Sequence, residues 1–119
     1  MEATVENRSL NHVPVPVRAV IAEFRQRLQN WYGDRLNKLI LYGSYARGDF
    51  HGESDIDLLI VLNDSELSKI REMNSIIDLK LDLMIEHSVL LSTKAVTTED
   101  LLTRQNAIYH FIRREGIEV

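Results

Sequence analysis

The sequence predicts a small α+β fold, an α/β two-layer arrangement in which a sheet of about three strands packs with helices. Three observations carry this expectation. A stripe of apolar residues at helical spacing runs from Val17 to Trp31. Two short apolar runs, 39–42 and 56–62, have the length of strands. A third segment, 79–85, alternates apolar and polar residues as a half-buried strand does.

The elements follow in order. The first fifteen residues are mostly polar and end in Val13-Pro14-Val15-Pro16, which predicts an extended lead-in over 1–15 and a single domain over 16–119. Pro16 suits the first position of a helix. The stripe Val17, Val20, Ile21, Phe24, Leu28 and Trp31 then defines one helical face, with Trp31 expected in the core, and Gly33 offers the stop.

Leu39-Ile40-Leu41-Tyr42 reads as a strand entering the turn Gly43-Ser44. The run from Ile56 to Leu62 is apolar on both faces after its start, as a strand covered on both sides would be. Asp64-Ser65 can cap a helix bearing Leu67, Ile70, Met73 and Ile77. Leu79, Leu81, Leu83 and Ile85 alternate with Lys80, Asp82, Met84 and Glu86, which predicts the third strand, with Val89-Leu90-Leu91 as its extension. Thr97-x-x-Asp100 resembles a capping box. It would open a last helix with Leu101, Gln105, Ile108 and Ile112 on one face. Arg113 and Arg114 would meet the dipole of its last turn, and Gly116 would end it.

Composition narrows the function. The chain has 119 residues, 45% of them apolar and 27% charged, which suits one soluble globular domain. Eighteen acids against fourteen bases give a net charge of -4. A protein gripping long nucleic acid shows a basic surplus, so nucleic acid is not the expected partner. With no cysteine, disulfides and thiolate metal sites are excluded. No signal-peptide pattern and no apolar run of membrane-spanning length are visible, and the expected location is cytoplasmic.

The segment from Gly43 to Asp57 carries the chemistry. On a strand, residues two apart point the same way, so Asp55 and Asp57 face one side. Two like charges so close repel, and a divalent cation between them relieves the repulsion. Hard oxygen ligands of this kind suit magnesium, which takes one or two carboxylates together with substrate phosphates. Gly43 lets the backbone approach a phosphate. Ser44 can cap a short helix starting at Tyr45, and helix N-termini attract anions. Arg47 is placed either to reach phosphates or to pair with Asp49 or Glu53. His51, in a glycine-flanked stretch, reads as a solvated loop residue. Tyr42 reads as core, and either Tyr42 or Tyr45 could stack on a base.

With strand, Gly43-Ser44, ten intervening residues, Asp55-Ile56-Asp57 and apolar strand assembled in that order, the sequence resembles the nucleotidyltransferase superfamily that includes polymerase β and kanamycin nucleotidyltransferase. The runs Gly-Ser-Tyr-Ala-Arg-Gly-Asp and Ser-Asp-Ile-Asp-Leu-Leu-Ile-Val are most similar to the minimal nucleotidyltransferase (MNT) domains of prokaryotes.

The resemblance implies the nucleotidyltransferase fold, ATP as donor and magnesium, two ions, held by Asp55 and Asp57. It implies nucleoside monophosphate transfer to a hydroxyl with release of pyrophosphate, Gly43 and Ser44 holding the nucleotide. It also implies a third metal-binding, catalytic carboxylate on a following strand, for which Asp82 is the best candidate and Asp78 and Glu86 are the rivals. The minimal relatives pair with an all-helical HEPN-family toxin, whose tyrosine receives AMP from the antitoxin. Two alternatives are an antitoxin that occludes its partner with a weak site, and a transferase acting on a small molecule.

Overall fold

The computed structural model describes residues 9–119. The first eight residues of the expected lead-in lie outside the described residues. Within the rest of it, residues 11–13 form a turn. The Val13 N–H donates to the Leu10 carbonyl at 2.9 Å, and the Val13 side chain is buried in the core.

Helix α1 spans Val15–Tyr32 with Pro16 in its first turn. It buries Val17, Val20, Ile21, Phe24 and Leu28 as the spacing predicts. The stripe ends on Tyr32 instead of Trp31, which is 58% exposed. Steps of four from Phe24 through Leu28 lead to position 32, so the buried face carries on there and leaves position 31 in solvent. The Tyr32 hydroxyl donates to buried Glu72 at 3.1 Å, and Arg35 donates to the same carboxylate at 2.9 Å. Those two donors make the burial of that acid tolerable.

A 3₁₀ turn, Gly33–Arg35, feeds strand β1, Leu36–Tyr42. After Gly43 come a one-turn helix α2, Ser44–Arg47, a loop, and strand β2, Ile56–Leu62. Strands β1 and β2 are antiparallel, with Tyr42 opposite Asp57. Helices α3, Lys69–Ser75, and α4, Ile77–His87, lead to β3, Leu91–Thr97, which pairs parallel to β2. Helices α5, Thr98–Thr103, and α6, Ala107–Glu115, precede a two-residue strand β4, Ile117–Glu118, antiparallel to β1. The sheet order is β3-β2-β1-β4, a small mixed sheet with one strand more than expected.

Alternation divides the central strands between two cores. Leu39, Leu41, Leu58 and Ile60 pack with Phe24 and Leu28 of α1 and Leu83 of α4. Ile40, Leu59 and Val61 pack with Leu101 of α5 and with Tyr109 and Ile112 of α6. Helices therefore cover both faces, which is why β2 reads as apolar from Leu58 onward.

The segment expected as the third strand is helix α4. Leu79, Leu81, Leu83 and Ile85 alternate, but Ile76, Leu79 and Leu83 also repeat at helical spacing, and Ile76 and Leu83 are the buried ones. Residues 79–84 contain no β-branched side chain, which favours the helix. Parallel pairing of β2 with β3 also demands a long crossover, which α3 and α4 supply. The third strand begins at Leu91, within the segment expected only as an extension.

Two smaller differences concern caps and breaks. Ser68, not Asp64-Ser65, caps α3: its hydroxyl accepts from the Arg71 N–H at 3.3 Å. The last helix is divided between α5 and α6, leaving Gln105 exposed in the break and Ile108 exposed on α6. The Thr97 cap is as expected, its hydroxyl accepting from the Asp100 N–H at 3.0 Å. Arg113 spans the break by donating to the Leu101 carbonyl at 2.7 Å. No helix among the described residues is long and apolar enough to cross a membrane.

Phe24 is fully buried where α1 meets the sheet. Phe24→Ala is expected to cost about 3–5 kcal/mol, measured as a shift in the urea midpoint with unchanged slope.

Candidate active site

The antiparallel register sets the site. Tyr42 ends β1 opposite Asp57, so the next residue, Gly43, passes beside the Asp57 carboxylate. Gly43 has φ +79°, and a Cβ there would stand 2.2 Å from Asp57 Oδ2. Both the backbone angle and the contact therefore require glycine.

Beyond Gly43 the chain turns into α2. The Arg47 N–H donates to the Gly43 carbonyl at 3.0 Å and the Gly48 N–H to Ser44 at 2.8 Å, with Gly48 in the left-handed region at φ +92°. Ser44 is the first helical residue and Gly43 is the cap, so the expected side-chain cap by Ser44 is not formed. Gly43, the cap of α2, thus lies against the Asp57 carboxylate.

Asp55 and Asp57 line one polar cleft of about 430 Å³ with Ser44, Ser54, Arg47, Asp49, His51 and Glu53. Asp55 is exposed and Asp57 half-buried. Burial pushes the Asp57 carboxyl above the usual carboxylate range, and the charge of Asp55 pushes it further. A Ser92 hydrogen bond and the more distant Arg47 charge pull the other way. A repelling carboxylate pair on a polar cleft that Ser44 also lines suits a hard divalent cation and the phosphates it accompanies.

The other expected residues are placed as follows. Arg47 lines the cleft, but its guanidinium is held by Asp49 at 3.1 Å and Glu115 at 3.0 Å. His51 orders the loop: its N–H donates to Ser54 Oγ at 2.8 Å, and its Nδ1 accepts from the Glu53 N–H at 3.2 Å. Tyr45 is buried and stacks on Phe50 at 4.6 Å between ring centroids, so it is not free for a base. Tyr42 is half-buried against the α5–α6 core.

Asp82 does not stand on a strand. It is exposed on α4, as are Asp78 and Glu86, and none of the three lines the cleft. The residue opposite Asp57 on β3 is Ser92. Among the described residues, no third Asp, Glu or His brings a ligand atom close enough to Asp55 and Asp57 to complete a three-ligand cluster. The one such cluster, Glu23, Glu86 and His87 on α1 and α4, lies beside Arg27, which pairs with Glu23.

Two contributors were missed by the sequence reading. Ser92 lay outside the expected third strand, so its register with Asp57 was invisible. His12 precedes the domain, yet its Nε2 lies 3.0 Å from the Tyr45 carbonyl and 2.9 Å from the Ala46 carbonyl, tying down the end of α2. No local pattern signals a contact between residues so far apart in the chain.

Two outcomes follow from this geometry. Gly43→Ala is expected to cost about 1–3 kcal/mol through the positive φ and the Asp57 contact, read as a lower melting temperature. Asp57→Asn is expected to stabilise the metal-free protein. A carboxyl raised in the folded state opposes folding only when ionised, so the gain should be absent at pH values below its unfolded range. It should appear as pH rises through the folded value, reaching under about 1 kcal/mol after solvent screening. Equal melting temperatures of the two proteins from acid to neutral pH would refute it.

Comparison with known proteins places this geometry in context. A model of the nucleotidyltransferase domain matches residues 19–115. Two chains of Methanocaldococcus jannaschii provisionally named protein adenylyltransferases are similar. One is 36% identical over 73 residues, 61% of this chain and 72% of the relative. The other is 38% identical over 85 residues, 71% of this chain and 77% of the relative. Among solved structures, a toxin–antitoxin with AMP-PNP aligns with a TM-score of 0.56 at 20% identity, covering 80% of this chain and 68% of that one. A mutant of the toxin–antitoxin MntA–HpeT aligns at 0.52 and 18% identity, covering 87% and 70%. At those identities the likeness is one of fold.

Proposed function

This chain belongs to the nucleotidyltransferase domain family, and from that premise we propose that it transfers AMP from ATP to a partner protein's hydroxyl, a tyrosine of a HEPN-family toxin, and so acts as its antitoxin. The observation that carries the reading is the placement of Asp55, Asp57 and Ser44 on one cleft, with Gly43 threaded against Asp57. Support for a protein acceptor comes from the two relatives named adenylyltransferases. Support for a toxin partner comes from the toxin–antitoxin structures that share the fold.

In this reading the acceptor oxygen forms a bond to the α-phosphorus of ATP, the bond to the α–β bridging oxygen breaks, and pyrophosphate leaves. Asp55 and Asp57 would hold magnesium, which when bound would supply neutralisation of charge at the phosphorus and on the leaving group. The first-turn N–H groups of α2 and the Ser44 hydroxyl hold the β- and γ-phosphates. Ser92 orients the Asp57 carboxylate. Among the described residues no third carboxylate completes a cluster with Asp55 and Asp57, and β3 presents Ser92 opposite Asp57, so an acidic acceptor is favoured. A phenol, with a pKa of about 10, ionises far more readily than an alkyl alcohol.

Ser92 also favours a second reading, in which the site is weak and the chain neutralises its partner chiefly by binding. Incubation with α-labelled ATP, magnesium and a candidate HEPN-family toxin separates the two. Asp57→Ala should keep the fold and abolish label transfer. Ser92→Asp should raise transfer at least about tenfold if a missing carboxylate limits the reaction. Substantial residual transfer by Asp57→Ala would contradict the metal role. A stable complex with no transfer in any variant would establish occlusion.

A further inference from the structure

Helix α4 leaves one face without a partner. Ile77, Leu81 and Ile85 follow one another at four-residue steps on that face, and all are exposed, Ile85 by 77%. Asp78, Asp82 and Glu86 run alongside, one residue on, and are exposed as well. Asp78 and Asp82 make no ion pair or side-chain hydrogen bond among the described residues. Carboxylates four apart on a helix repel each other, and solvent-facing Leu and Ile forgo burial. Apart from Glu86, which lies 3.9 Å from Arg27, neither row gains a partner among the described residues. Together they complement an amphipathic helix with an apolar ridge edged by cations.

The same face leads to the cleft. Ser88 and exposed Leu90, just past the end of α4, line a pocket with Glu53 and Ser54. Glu53 and Ser54 also line the cleft that holds Asp55 and Asp57. A protein lying along α4 therefore reaches the rim where transfer would take place. A second copy of this chain fits worse, because a two-fold contact sets the patch against itself and brings the acidic rows together.

We propose that the exposed α4 face is the docking surface for the protein to be modified, which presents a helix with an apolar ridge flanked by lysines or arginines. The assignment rests on the reading of the chain as a transferase with a protein acceptor, and it gives Asp82 a recognition role in place of a metal-binding one.

The test uses the full chain and two synthetic helical peptides of about 18 residues that share a leucine ridge, one flanked by Lys and Arg, the other by Glu. Fluorescence anisotropy reads their affinities, and Mg·ATP binding is measured in parallel. The basic peptide should bind at least about tenfold tighter. Leu81→Asp, and separately the double change Asp78→Lys with Asp82→Lys, should each lose about tenfold or more, with melting temperature and ATP affinity unchanged. Equal affinity for the two peptides, or binding insensitive to both variants, would overturn the docking surface while leaving the transferase reading intact. A dimer in sedimentation that Leu81→Asp dissolves would overturn it in favour of self-association. Absence of Mg·ATP binding by the unmodified chain would overturn the transferase reading itself, and with it the role given to this face.

Discussion

The close passage of Gly43 against the Asp57 carboxylate is the constraint on which the site depends. It arises from a strand register: Tyr42 lies opposite Asp57, so the turn leaving β1 must cross the entry of β2. Only a residue without a side chain passes there, and only one that tolerates φ +79° turns at once into α2. Ser44 and the two carboxylates thus come to line one cleft through backbone geometry that fully buried strands hold rigid. Leu39, Leu41, Leu58 and Leu59 immediately behind the turn leave those strands no freedom to slip, since a one-residue shift would turn the buried side chains onto the wrong core.

Inside that frame the electrostatics are unfavourable until a cation arrives. Asp57 is partly desolvated and stands near Asp55, and both effects oppose its ionisation. Ser92 offsets only part of this. Such a pair is a strained arrangement in the folded protein, of the kind that marks a binding site more often than a structural ion pair. The departure from the pattern of the larger family lies on the neighbouring strand, where a hydroxyl faces Asp57. Ser92 can orient that carboxylate but supplies no further charge, so in the proposed transfer the chain would have less with which to activate an acceptor.

Where the chain's local pattern and its tertiary environment agree, the sequence was a good guide. Strand β2 was predicted with its observed bounds because a run of seven residues ending at Leu62 is apolar on both faces and both faces are covered. Gly43, Ser44, Asp55 and Asp57 were legible because their spacing encodes a turn and a strand entry. Two kinds of information were missing. The segment 79–85 satisfies a period of two and a helical period at once, and only the need for a crossover between parallel strands decides between them. Its misassignment carried Asp82 to the wrong place and hid Ser92. Trp31 and Tyr32 differ by a single step along α1, and the residue that is buried is the one whose hydroxyl finds Glu72.

The pairing of β4 with β1 joins parts of the chain that are far apart in sequence, whereas β1 and β2 are close neighbours. Closing the longer loop costs more chain entropy, so the β1–β2 pair is favoured to assemble early and β4 to arrive late. Glu115, which pairs with Arg47 at the cleft's rim, ends α6 two residues before β4 begins. The rim is therefore finished last, and a folding intermediate that already carries Asp55 and Asp57 in register would hold Arg47 by Asp49 alone.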